Sequence, residues 1–409
     1  PGNLSLSSAL NFTWKGVCLR YKNDSTDLSV NHLSGSFTDT TFTLMFPVKI
    51  SWQQLVARAT VSEGDLHYKG KKFTADAAGC SWNPSGNILH LKNFSVMPNE
   101  SREETFRKAP WQNDYITVKG ESLVVSGIRT DHSAGDSTIR INKLILDGVA
   151  INASRDKSMP FRHGIEKPMP TKLINSIPIP LKVDSVLLLH SSVVYNELSI
   201  ATRKWSRIPF ENLSGVILNV SNRSNQQETL RIFATAELFN SRIRHFSYEE
   251  SYGDPLSAFT VSSRLSPIDL TGFSQVSIPM AAVSVTNGHA DTLYSNWEGN
   301  KYAATGIMNF YYDHLRIRVL DKEDIHKRSF LPVLKTWAAN LILPNSRKRA
   351  SAIFVERDPE KFVFNYWVKA ISSGALTTVG IKKSKVYRKK YLKKYKVYSL
   401  PEKGMDGWR

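Results

Sequence analysis

Apolar and polar residues alternate with a period of two along most of this chain, in short runs separated by polar turns. The fullest run spans 281–320. Val283 and Val285 alternate with polar neighbours, Asn287-Gly288 predicts a turn, and a second strand is expected to end near Tyr294. Gly299-Asn300 predicts a tight turn, followed by a long strand through Phe310. In a last strand Leu315, Ile317 and Val319 alternate with His314, Arg316 and Arg318. Such alternation marks a sheet with one dry and one wet face.

Looser versions of the unit recur. In the first half, 16–21 pairs with 28–35, 59–68 leads to 88–94, and 123–131 leads to 139–146. The second half restarts with Val183 to Leu189, a turn at Ser191-Ser192, a strand from Val193 to Glu197, and another from Pro209 to Val220. Residues 99–115 and 152–180 read as loops. The second of these, with Pro160, Pro168, Pro170, Pro178 and Pro180, is the best boundary between halves. The spacing is too variable for a strict solenoid. The expected fold is mainly β: an elongated, curled antiparallel sheet of the groove or β-taco type, built from repeated meanders. Roughly 20 to 25 strands at ~4.8 Å spacing would extend on the order of 100 Å. Helix signals lie in the C-terminal part, which predicts one or two short helices. One covers 324–343. The other opens at Asp358-Pro359, stops at Gly374 and caps the open end of the sheet. The expected division is 1–155 (N-terminal meanders), 156–180 (linker), 181–323 (second β region), 324–380 (capping helices and strands) and 381–409 (basic tail).

Composition adds a charge argument. Hydrophobic residues at 41% and charged ones at 22% suit a folded chain, and 409 residues suffice for a large core. The longest uncharged stretch, 270–288, is broken by Gly272 and Pro279, so no apolar run is long enough for a membrane helix. The chain opens at Pro1 in strand-like sequence, which reads as a fragment or processed form. Net charge is +18, and it calls for an acidic partner or surface. Half of that excess lies in the tail, in Lys382, Lys383, Lys385, Arg388, Lys389, Lys390, Lys393, Lys394 and Lys396. Tyr387, Tyr391 and Tyr395 recur every four residues there and would form one stripe on a helix. These twelve residues are the candidate contact with an anionic membrane, since tyrosine favours the headgroup level and each cation adds about 1 kcal/mol. The plain alternative is a solvated tail of repelling charges. Nucleic acid is not expected, because no stacking platform or recognition helix accompanies the tail.

Chemistry is otherwise sparse. Glycine-rich phosphate loops, HExxH and GxSxG are missing, the histidines are scattered singly, and no metal or cofactor is expected. Acidic pairs such as Glu103-Glu104 and Glu249-Glu250 read as solvated loop carboxylates. Sequons such as Asn93, Asn152 and Asn212 arise readily in a chain rich in Asn, Ser and Thr. Cys18 and Cys80 could pair or pack as small hydrophobes.

From 183 onward the chain resembles the AsmA-like family of Gram-negative cell-envelope proteins. The resemblance is carried by 183–197, 208–222, 229–243 and above all 281–320. There a glycine, methionine and aromatic pattern falls on Gly306, Met308, Phe310, Tyr312, Asp313 and Leu315, with His314 inserted. The aromatic, lysine-rich segment 361–383 is also similar. The resemblance implies a periplasmic sheet curled into a groove for phospholipid or another anionic lipid. It also implies an inner-membrane anchor helix outside this chain, an outer-membrane assembly partner and no catalytic residues. The alternatives are a non-transporting assembly scaffold, with the apolar faces pressed into a dry core, and a glycan-binding β protein.

Overall fold

A computed structural model describes residues 7–43, 58–131, 137–200, 202–225, 227–320, 346–347 and 349–395. The helix expected over 324–343, and Lys396, lie outside the described residues. The fold is mainly β, a single sheet of 19 strands. Alternation fixes it strand by strand. β1 (Ser7–Lys22) and β2 (Thr26–Thr43) form a hairpin, with Val17 opposite Leu33, Leu19 opposite Val30 and Tyr21 opposite Leu28. β3 (Ala59–Gly70) follows, then β4 (Phe73–Ala78) and β5 (Cys80–Asn83), two stretches of one line broken at Gly79. β6 (Ile88–Pro98) pairs with both, and β7 (Asp114–Ser126) pairs with β6. β8 (Arg129–Asp131) flanks β9 (Thr138–Asp147), and β10 (Ala150–Asp156) continues β9 past Gly148.

The second half is β11 (Leu181–Leu198), β12 (Trp205–Ser221), β13 (Thr229–Leu238), β14 (Ser241–Ser251), β15 (Phe259–Leu265), β16 (Ile268–Asp269), β17 (Val283–Gly299), β18 (Ala303–Val319) and β19 (Ala350–Glu356). All its internal pairings are antiparallel. The sheet as a whole is mixed, however, because β9 and β10 run parallel to β11. A parallel neighbour must be reached by a crossover, and residues 157–180 supply it. The expected loop therefore has a structural task. It also holds helix α2 (Pro170–Asn175), with proline at its first position.

Helices occur outside the C-terminal part as well. The region read as a loop at 99–115 contains α1 (Arg102–Lys108), started by a Ser101–Glu104 capping box, and the beginning of β7. α3 (Ser274–Ala281) precedes β17. At the C-terminus α4 (Val363–Thr378) begins after Asp358-Pro359 and runs past Gly374. A side chain at Gly374 would meet Met308 Sδ at 2.8 Å and Ile353 Cγ1 at 3.0 Å, so this glycine permits close packing and does not stop the helix. α5 (Ser384–Lys394) follows. Among the described residues no helix is long and apolar enough to cross a membrane. Cys18 and Cys80 are unpaired thiols, and burial raises the pKa of Cys80.

α4 reveals the curl. Its Phe364 ring lies 5.9 Å from Tyr195 on β11 and 6.2 Å from Phe210 on β12, while Gly374 packs on β18 and β19. Those helix positions are about 15 Å apart along the axis. Seven strand spacings in a flat sheet would separate β11 from β19 by about 34 Å. Only a sheet wrapped around α4 brings both strands to one helix.

Candidate functional site

The apolar face is continuous from one side of the sheet to the other. Successive cross-strand neighbours are Trp14, Gly35, Val61, Trp82, Leu89, Val125, Leu144, Val186, Ile217, Ile232, Tyr248, Val261, Trp297, Gly306 and Ile353. Beside this row, Leu91, Leu123, Leu146 and Leu188 make a second. On the other half of the strands Val96, Val118, Ile151, Val193 and Phe210 are neighbours, as are Ile116, Ala153, Tyr195 and Ile208.

The two sets share a face because each strand that carries both slips phase once. In β11 the apolar positions are Val186 and Leu188, then Val193 and Tyr195; in β6 they are Leu89 and Leu91, then Phe94 and Val96. Strict alternation would turn the second pair to the opposite side. Between the pairs lie left-handed residues: His32, Gly79, Asn93, Gly148, His190 and Asn212, with φ from +44° to +127°. They fall on neighbouring strands at one level, where register shifts mark β-bulges in β2, β11 and β12. A bulge inserts one residue and bends its strand, so a line of bulges both restores the apolar side and folds the sheet along that line. The contacts of α4 confirm the shared face: Phe364 touches Tyr195 and Phe210, and Trp367 lies 5.3 Å from Phe246 and 5.0 Å from Tyr248. Asn287-Gly288 belongs to this class of feature. It is a bulge inside one strand, and β17 runs on to Gly299 instead of ending near Tyr294. The expected turn at Ser191-Ser192 is likewise a bulge within β11.

Occupancy of the face differs between halves. From β12 to β19 it is filled. Tyr248, Val261, Trp297 and Ile353 are at most 2% exposed, covered by Tyr366, Trp367 and Ala370 of α4 and by Met169 of the crossover. The crossover is fastened by buried polar groups. Glu250, fully buried on β14 and not a solvated loop carboxylate, accepts hydrogen bonds from Thr171 N (3.0 Å), Thr171 Oγ1 (2.7 Å) and Tyr248 Oη (2.9 Å). Burial raises its pKa against those bonds. Arg357 donates to the carbonyl oxygens of Lys301 and Lys167. From β1 to β11 nothing equivalent among the described residues covers the face, and most of its apolar residues there are only half-buried. Leu19 is 51% exposed and Ile116 47%. At the β1 end a recess of about 530 Å³ lies beside Trp14 and Gly35.

Of the tail residues proposed from sequence, the structure brings most onto α5 and splits them between two faces. Lys383, Lys385, Lys389, Lys390, Lys393 and Lys394 are exposed. Tyr387 is 52% exposed, but Tyr391 is buried with its ring 5.5 Å from Phe354 and 4.8 Å from Tyr395, so the tyrosines are not one outward stripe. Arg388 is half-buried. Lys382 turns inward, its Nζ donating to Phe354 O (2.8 Å) and Ser373 Oγ (2.9 Å), and burial lowers its pKa. Ser373 Oγ also accepts from Phe354 N and donates to Phe354 O, so the outer edge of β19 is capped at Phe354.

Sequence reading missed a charged row that borders the open apolar face. Asp114, Arg155, Glu197 and Ser206 are cross-strand neighbours two residues beyond Ile116, Ala153, Tyr195 and Ile208. Arg155 binds Asp114 through two hydrogen bonds (2.7 and 2.5 Å), and Lys157 binds Glu197 at 2.6 Å. Charges at the end of an alternating run were the available signal, but their partners are far away in sequence. No protein-family model matches the chain, and no curated protein matches it.

Proposed function

We propose that this chain is a lipid-handling protein of the AsmA-like kind, which holds acyl chains on the open apolar face of β1–β11. The observation that carries the reading is the continuous apolar floor, half-exposed in the first half and sealed in the second. A tail laid along it gains about 0.8 kcal/mol per buried methylene. The outward lysines of α5 would meet anionic headgroups. The resemblance supports a periplasmic setting, an inner-membrane anchor in a segment outside this chain and an outer-membrane assembly partner. It supports no catalytic role. A second reading, an assembly scaffold, is favoured by the dry interior of β12–β19.

Uptake of a fluorescent-acyl phospholipid by the delipidated chain separates the two. The lipid reading expects saturable uptake and co-purifying phospholipid in organic extracts. It also expects a loss of at least about tenfold in Ile116→Glu/Val118→Glu, which puts charge on the floor. No uptake by the parent chain, or uptake unchanged in a folded double variant, leaves the scaffold.

A further inference from the structure

The open apolar face ends against a group of cations, and one of them has no acidic partner. Ile116, Ala153 and Tyr195 form the last apolar row, and the charged row with Arg155 and Glu197 lies immediately beyond it. Two of the cations there are engaged: Arg155 with Asp114, and Lys157 with Glu197, whose other oxygen accepts from Tyr195 Oη at 2.9 Å. Tyr195 also touches Phe364, three residues along the chain from Lys361. Lys361 is half-buried, and its Nζ stands 3.1 Å from the centre of the Phe161 ring. Among the described residues no carboxylate lies within ion-pair distance of it. Burial lowers its pKa, Asp358 opposes that, and Lys157, Arg155 and Lys369 add to it, so the cations crowd one another. A desolvated ammonium repelled by neighbouring cations is stabilised by an incoming anion. Phosphate oxygens give charge-assisted hydrogen bonds to lysine and arginine.

We propose that Lys361, with Arg155 and Lys157 beside it, binds the phosphate of a lipid headgroup whose acyl chains lie along the Val118, Ile151 and Val193 row. The assignment rests on the lipid reading above and narrows it to ligands that bear a phosphate. Uncharged headgroups would lack the match. The apolar floor would set chain position, and the cations would set which end points toward the charged row.

The test uses the full chain and three probes: dihexanoyl phosphatidic acid below its micelle concentration, dihexanoylglycerol with the same chains, and inorganic phosphate. Affinities are measured for the parent, Lys361→Gln, Lys361→Arg and a remote control, Lys143→Gln, at an exposed position of β9. The expected result is tighter binding of the phosphatidic acid than of the glycerolipid. That preference should fall roughly tenfold in Lys361→Gln, the loss of one charged contact, and persist in Lys361→Arg and Lys143→Gln. Glycerolipid affinity should be equal in all four chains. If the glycerolipid binds and Lys361→Gln leaves the preference intact, the headgroup site is wrong while the groove stands. If neither lipid binds the parent, the groove reading fails with it. If inorganic phosphate binds as tightly as phosphatidic acid, the site serves free phosphate and the headgroup assignment is overturned.

Discussion

Glu250 shows how a residue can be misread from its neighbours in sequence. Beside Glu249 it resembles one of a solvated pair, yet alternation puts the two on opposite faces of β14, and Glu250 faces inward. There it secures α2 through both the amide and the hydroxyl of Thr171. Because burial raises its pKa, the folded chain holds the proton more tightly than the unfolded chain. Its contribution to stability is therefore greatest below the unfolded carboxylate range and declines as pH rises through the folded value. Glu250→Gln should remove that slope and keep the bonds, with the amide oxygen accepting from Thr171 N and Tyr248 and the amide nitrogen donating to Thr171 Oγ1. Glu250→Ala leaves those donors unpaired and should cost about 3 kcal/mol. Denaturant unfolding at pH 5 and pH 8 measures both. An alanine variant as stable as the parent would mean that this contact does not hold the crossover.

At the scale of elements, strands were legible and their irregularities were not. Period-two alternation located β1, β2, β6 and β12 because each gathers its apolar residues on one face. Asn287-Gly288 looked like a reversal because that dipeptide favours turns. The long partner β18 pairs on both sides of it, and continued pairing absorbs the extra residue as a bulge. The phase slips at Asn93 and His190 carry the same meaning, and no local signal distinguishes a slip from a strand end. The tail shows the converse: its helical spacing was readable, but which face turned inward depended on Phe354, far away in sequence. With Tyr391 anchored there, the lysines of α5 point outward. Replacing Lys389, Lys390 and Lys393 by Gln should weaken binding to anionic vesicles by about 3 kcal/mol at low salt, roughly a hundredfold, with no change in melting temperature. Co-sedimentation with phosphatidylglycerol vesicles reads this directly. Binding unaffected by the triple substitution would take α5 out of the membrane contact.

At the scale of the molecule, the described residues make the same sheet a packed core at one end and a face without a covering helix at the other. Sequence gave no sign of that asymmetry, because apolar alternation looks alike whether or not something covers the face. What separates the halves is the position of α4 and the crossover, and both are placed by long-range contacts. A face without a covering helix has less apolar burial to hold its hydrogen bonds closed, so opening should be easier there. Hydrogen exchange should therefore find β3–β10 exchanging well before β13–β19. A ligand bound only to the closed form stabilises it by mass action, by about 2.7 kcal/mol at a hundred times its dissociation constant. Short-chain phospholipid should thus slow exchange in β6, β7, β10 and β11, which floor the trough, and leave β14–β19 unchanged because their face is already occupied. Protection spread evenly over the sheet would mean that lipid acts on general stability. Protection confined to β14–β19 would mean that the sealed half opens to ligand, which the packing of Tyr366 and Trp367 argues against.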